Sequence, residues 1–447
     1  MPLTRLLGAT VVTMDGRGTV IPDGEVCFAD DILTYVGPRR DPRAAPGPHD
    51  LDVTGHLVIP GLVNAHTHSA MTLLRGTADG NDFTVWLRNV QSAEQQLTHD
   101  DVAAGLRLAL VEMIRSGTTA FADMYFWDSA LLHIVRDAGL RINAAPALFD
   151  TDVVGFPALS TLDGRGILDH TEALVAEFAD DDHVRVSFGP HAPYTCSTAM
   201  LTEVAERAAR LGVMIHTHLS ETAGEVERSL AAHGRTPVGV ADDTGLLGVP
   251  ALVAHLVHPT DDDLAVLAAR GAAVSHNPLS NLKLACGVQP LGALRAAGVL
   301  TGLGTDGAAS NNSLDLLEEI RLAAVLHRVP RADVRPAVQP AVNDVLTMAT
   351  RDGAAAIGFP RAGVLEPGRW ADLVVVRTDA PHAVPMGSAE SFLGFAARGS
   401  DIRHVFVGGR HLLDDGSVTT LDEDIVRSDA HQVAERLRTT TTPTKEK

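Results

Sequence analysis

Residues His66-Thr67-His68 close an apolar run, Leu57-Val58-Ile59-Pro60-Gly61-Leu62-Val63-Asn64-Ala65. In a strand, residues i and i+2 point to the same face, so both imidazoles can converge on one ion at the strand's end. Further apolar runs end in the same kind of chemistry. Gly189-Pro190-His191 ends one, and Ile215-His216-Thr217-His218-Leu219-Ser220-Glu221 ends the next. Ala254-His255, Ser275-His276 and Gly304-Thr305-Asp306 follow. Three imidazoles and a carboxylate suit a borderline-soft divalent ion, most simply Zn2+. The predicted ligands are His66, His68, His218 and Asp306. His216 stays open as the alternative to His218, because both share one face. A metal held there would lower the pKa of a bound water and deliver hydroxide at neutral pH. Glu221 lies just past His218, where a carboxyl could carry a proton to a leaving group. His255 could orient the water.

These groups need strands that end at one place. Eight candidates run from Leu57 to Ala65, Thr118 to Asp123, Arg141 to Leu148, Val184 to Gly189, Val213 to His218, Ala251 to His255, Ala272 to His276 and Val299 to Thr305. Helical stretches lie between them, among them Asp101 to Ser116 with Thr98 as N-cap, Thr198 to Arg210, and Asp261 to Ala269. Strand–helix alternation with continuously apolar strands predicts a (β/α)8 TIM barrel, whose catalytic groups sit at the strand C-termini. A doubly wound sheet is disfavoured, since no GxGxxG follows an early strand. Short strands with turns occupy the first ~55 residues and return after Gly363. The predicted organisation is a small β-sandwich domain from residues 1–57 and 363–420, a barrel over 58–362, and a C-terminal helix and tail over 421–447. Thr439 to Lys447 is expected to be disordered, and Asp150 to Asp169 to be a long loop.

The chain has 447 residues with 45% hydrophobic and 21% charged residues, an ordinary globular balance. A net charge of -20 argues against nucleic-acid binding, which needs basic residues to neutralise phosphates. No apolar run approaches the ~20 residues that cross a bilayer. The first residues carry no signal-peptide pattern, so a cytoplasmic protein without membrane partners is expected. Cys27, Cys196 and Cys286 are far apart, which suggests buried thiols rather than a disulfide framework or a thiolate metal site.

The segments PGLVNAHTH, HTHLSET, VAHLVH, SHNPLSNLKLACG and GLGTDGAASNN resemble the amidohydrolase superfamily, in its chlorohydrolase/deaminase branch. GPHAPYTCS and the DMYF of Asp123 to Phe126 strengthen the resemblance, which covers nearly the whole chain. It is nearest to the deaminases of 5'-methylthioadenosine and S-adenosylhomocysteine. It implies a distorted TIM barrel with one zinc per subunit, and a homo-oligomer acting on a small nucleoside. Binuclear relatives use a carboxylated lysine, and this chain has no lysine before Lys283. The HxE…PCxxC pattern of other zinc deaminases is also absent.

The resemblance further implies that Asp306 takes a proton from the attacking water, and that Glu221 protonates the purine. His255 steadies the tetrahedral centre, His191 contacts the ring and Glu94 holds the ribose hydroxyls. Relatives that accept homocysteine carry arginines after the third strand. This chain has Pro146 at the first such place, and Arg165 could supply the second. The predicted reaction is hydrolytic deamination of a 5'-substituted adenosine: methylthioadenosine, S-adenosylhomocysteine, 5'-deoxyadenosine or adenosine. Alternatives on the same scaffold are a deaminase of a free purine, a pterin or aminofutalosine, and a triazine chlorohydrolase. A metal-free scaffold protein is the alternative outside enzymes, and the intact ligand set speaks against it.

Overall fold

The computed structural model describes residues 3–41, 47, 49–328 and 340–441. Parallel strands occur in the expected order. Leu62–Thr67 pairs with Thr118–Tyr125, which pairs with Arg141–Leu148. That third strand pairs with both Val184–Val186 and Gly189–Pro190. A second parallel sheet holds Ile215–Leu219, Ala251–His255, Ala273–His276 and Leu300–Leu303.

The two sheets meet at two seams. At one, Phe188 bridges to Ile215. At the other, Asn64 Nδ2 donates to Thr305 Oγ1 at 2.7 Å, and the Asp306 N–H donates to the His66 carbonyl at 2.9 Å. Side-chain and single backbone bonds thus replace a full ladder at that seam, which is the distortion of this TIM-type barrel. Every residue of the first three strands is buried, as expected for strands with a barrel interior on one face and helices on the other.

The run from Leu57 to Ala65 is not one strand, contrary to the sequence reading. It breaks at Gly61 into Leu57–Pro60 and Leu62–Thr67, which belong to different sheets. A Cβ on Gly61 would lie 2.0 Å from Thr119 Oγ1, so only glycine fits where the chain changes sheets. Leu57–Pro60 sits in the middle of a nine-stranded outer sheet built from both chain ends. It pairs in parallel with Thr4–Val12 and antiparallel with Leu373–Val376. The sheet curls until Ile32 bridges to Trp370. Its own core includes Leu6, Val11, Val26, Phe28, Val58, Leu373 and Phe406.

A buried ion pair ties this sheet to the barrel. Arg141, on the third barrel strand, donates from Nε and Nη2 to Asp372 at 2.7 and 3.0 Å. Its guanidinium also lies 3.8 Å from the Trp370 ring centroid.

Helix starts follow their caps. Thr98 and Asp101 form a reciprocal capping box at His99–Arg115. Asp163 caps Gly164–Glu177 through the Gly166 N–H, so the predicted long loop ends several residues earlier than expected. The C-terminal helix spans Glu423–Thr441, so Thr439 to Thr441 are helical rather than disordered. Residues 442–447, the rest of the expected tail, lie outside the described residues, as do 42–46 and 48. All three cysteines are free and buried. Among the described residues, no helix is long and apolar enough to cross a membrane.

Candidate active site

The first barrel strand delivers His66 and His68 to the same end, as its period of two requires. His66 is fully buried, and its Nδ1 lies 2.9 Å from His216 Nε2. His68 Nδ1 bonds the Met124 carbonyl at 2.5 Å, and His218 Nδ1 bonds the His191 carbonyl at 2.9 Å. A ring nitrogen that bonds a carbonyl carries the proton, which leaves Nε2 as a lone-pair donor. One ligating atom from each of His66, His68 and His218 falls within a group no wider than 4.8 Å.

Asp306 completes the cluster from the eighth strand's end. Its Oδ1 lies 3.4 Å from His66 Nε2 and 3.2 Å from His68 Nε2. Its other oxygen, Oδ2, accepts from Ser280 and Ser310 at 2.6 and 2.8 Å. Burial opposes its charge, but the surrounding His66, His68 and His255 rings outweigh that and hold the carboxyl well below its usual range. His66 Nε2 is buried with no hydrogen-bond partner. An orphaned nitrogen facing a carboxylate and two more imidazoles fits a divalent metal. His216 is not in this group, because its Nε2 is spent on His66.

Backbone strain concentrates here. Asp306 has φ of 62°, His255 of 71° and Ser220 of 53°, all in the left-handed region. The turn at Ser220 aims Glu221 inward. Glu225 holds that turn by accepting the Ser220 and Glu221 backbone N–H groups at 3.0 and 2.8 Å. Glu221 is buried, with Oε1 3.8 Å from His255 Nδ1 and 3.7 Å from Cys286 Sγ. Burial, reinforced by the charge of Asp306, pushes its carboxyl up to about 8. It therefore carries a proton at neutral pH. His255 Nδ1 lies 2.9 Å from Asn281 Oδ1, and its ring stacks on His218.

A cavity opens above these groups. His191 lines it, stacked on Phe149 with centroids 5.2 Å apart. Burial, with the fields of His68 and His255, lowers the His191 pKa to about 3, so the ring is neutral. Glu94, the last residue of the helix Phe83–Glu94, lines the same cavity and accepts from the Tyr125 hydroxyl at 2.8 Å. Burial pushes its carboxyl up to about 7.

Arg165 is placed elsewhere. It is exposed in the first turn of Gly164–Glu177 and is not among the residues that line the cavity. Pro146 is buried within the third strand. His258 bonds the Cys286 carbonyl, and His276 bonds His327, so neither strand-end histidine joins the cluster.

Several lining residues went unread in the sequence. Phe83, Leu87 and Val90 come from the helix Phe83–Glu94, and Phe156 from the loop after the third strand. The first three recur at i, i+4 and i+7, a helical stripe that could have revealed them. Asp123 opens the DMYF segment at the end of the second barrel strand. It is buried and accepts the Ser69 backbone N–H at 2.6 Å and Trp127 Nε1–H at 3.0 Å, which fixes the chain just after His68.

The profile of the amidohydrolase family matches residues 57–412. The chain belongs to this family. It is 40% identical to a 5-methylthioadenosine/S-adenosylhomocysteine deaminase of Pelotomaculum thermopropionicum, over 96% of this chain and 98% of that protein. It is 42% identical to a 5'-deoxyadenosine deaminase of Methanothermobacter thermautotrophicus, over 95% of this chain and 100% of that protein. Its fold matches the crystal structure of an adenosine deaminase from Xanthomonas campestris with bound zinc, at a TM-score of 0.91 and 33% identity, covering 98% of each chain.

Proposed function

We propose that this amidohydrolase is a mononuclear zinc enzyme that deaminates adenosine carrying a small, uncharged 5'-group. The products are the inosine analogue and ammonia. The carrying observation is the cavity lining: it offers Glu94, Glu221 and Asp306 as carboxyl groups and neither lysine nor arginine among the described residues.

His66, His68, His218 and Asp306 would hold the zinc, one per chain. A zinc ion so held supplies Lewis acidity that makes water a nucleophile near neutral pH. The chain's own groups manage protons and position. Asp306 accepts a proton from the water that adds to C6 of the purine. Glu221, protonated at neutral pH, donates to ring N1 and so lets C6 become tetrahedral. The C6–N bond then breaks: the proton taken by Asp306 leaves with the amino group as ammonia, and the C6 hydroxyl proton returns to the Glu221 carboxylate as the C6 carbonyl forms. His255 hydrogen-bonds the new C6 oxygen, held in line by Asn281. His191 and Phe149 offer stacked rings to the base. Glu94, braced by Tyr125, accepts the ribose 2'- and 3'-hydroxyls.

The 5'-preference follows from charge. A homocysteine carboxylate buried without a cationic partner would lose its solvation with nothing to offset it. Sequence similarity to deaminases named for methylthioadenosine and 5'-deoxyadenosine supports the reading. Cytoplasmic location and a homo-oligomeric state belong to the same proposal.

Ammonia release from a panel tests it: 5'-deoxyadenosine, methylthioadenosine, adenosine, S-adenosylhomocysteine, adenine and guanine. The expected ranking puts the first three nucleosides well ahead of S-adenosylhomocysteine. Equal turnover of S-adenosylhomocysteine would refute the 5'-preference, and turnover of free bases alone would refute the nucleoside reading.

A further inference from the structure

A second cluster of ligating atoms lies outside the barrel. His404 stands on the outer-sheet strand Ile402–Val407, and His411 and Asp414 on its antiparallel neighbour Arg410–Asp414. His404 Nδ1 lies 3.2 Å from His411 Nε2 and 3.3 Å from Asp414 Oδ1. His411 Nε2 lies 3.8 Å from the same Asp414 oxygen. The His411 ring is fixed flat on Phe406, with centroids 4.1 Å apart and planes within 11°.

The protons do not suffice for these contacts. The Asp415 backbone N–H points at His404 Nδ1 at 3.3 Å, so that nitrogen presents a lone pair. The carboxylate oxygen of Asp414 faces the same lone pair. Only His411 Nε2 has a proton to place among the three atoms. Two imidazole nitrogens and a carboxylate oxygen therefore converge with at most one hydrogen between them, an arrangement that a cation relieves. The spacing also fits. A point about 2.1 Å from all three atoms lies roughly 0.6 Å out of their plane, near the position of a tetrahedral ion with one open coordination place.

We propose that His404, His411 and Asp414 form a second divalent-metal site, suited to zinc and finished by water, which clasps the hairpin turned by Gly408-Gly409. The site is partly open, since the Asp414 side chain is 58% exposed. It does not depend on the catalytic reading.

The test counts zinc. The full chain is stripped with chelator, reloaded by dialysis against micromolar Zn2+ and assayed by elemental analysis, beside D414N, H411A and H404Q. Far-UV circular dichroism identifies the variants that keep the wild-type fold, and D414N alters only an exposed carboxylate. Each folded variant should hold one zinc fewer than the wild type, or bind that ion at least about tenfold more weakly, with deaminase activity unchanged. Equal zinc content and affinity in wild type and D414N would overturn the site. So would a variant that loses zinc only together with activity.

Discussion

Two carboxyl groups in one cavity sit at opposite ends of the neutral range, and their tasks need opposite states. As the proposed acid, Glu221 must be protonated, and burial holds it so up to about 8. As the proposed acceptor from the ribose hydroxyls, Glu94 must be charged, which burial delays to about 7. Falling pH should weaken nucleoside binding as Glu94 protonates, and rising pH should remove the acid as Glu221 ionises. kcat/KM for methylthioadenosine should therefore be bell-shaped, with limbs near those values. Glu221→Gln should lower kcat by roughly 10²–10⁴-fold, because the amide cannot donate and recover a proton. Glu94→Ala should cost on the order of a hundredfold in kcat/KM for nucleosides and erase the acid limb, given the strength of hydrogen bonds to a charged acceptor. If Glu94→Ala leaves nucleoside kinetics intact, the ribose role is wrong.

The cluster of His66, His68, His218 and Asp306 was readable because each residue ends a strand with a clear apolar pattern. The bonds that steady them were not. Ser280 reaches Asp306 across 26 residues, and Asn281 reaches His255 across another 26. Such contacts leave no periodic trace. The choice between His216 and His218 was equally hidden, because one face holds both and only packing against His66 separates them.

Among the elements, the turn after the fifth barrel strand matters most to the chemistry. Glu225 lies at the start of the helix Ala223–His233, where it reaches back to two backbone N–H groups. Removing it would leave those groups unsatisfied and let Glu221 drift. Glu225→Ala should lower kcat by roughly 10–10²-fold with little change in KM, since small misplacements of a reacting group are costly. A larger change in KM than in kcat would show that Glu225 shapes binding instead. The helix Phe83–Glu94 and the loop carrying Phe156 wall the cavity. The loop was predicted as a loop, but nothing in a glycine-bearing segment foretold that its phenylalanine turns inward.

For the whole molecule, the contact between barrel and outer sheet centres on Arg141 and Asp372, whose side chains are 1% and 0% exposed. Removing one partner strands the other charge in a dry place, at a cost of about 3–5 kcal/mol. Asp372→Ala should lower the unfolding free energy from urea titration accordingly, while Arg115→Ala, at an exposed pair with Glu423, should change it by less than about 1 kcal/mol. Equal effects would mean that the buried pair carries no special weight. The return of short strands after Gly363 pointed to a β unit built from both chain ends, but not to the single nine-stranded sheet that its strands form. The change of sheet at Gly61 was not, because it depends on how closely Thr119 approaches.

The antiparallel pairing of Leu57–Pro60 with Leu373–Val376 also acts on the unfolded chain. It fastens the two ends of a segment of roughly 310 residues side by side, as a buckle closes a strap. Closing a loop of that length at random costs about 5 kcal/mol in chain entropy beyond a constant term. With the buckle shut, the barrel segment is a closed ring. The outer sheet, which lends no described residue to the cavity lining, thus carries the cost of closing the ring on which the site is built.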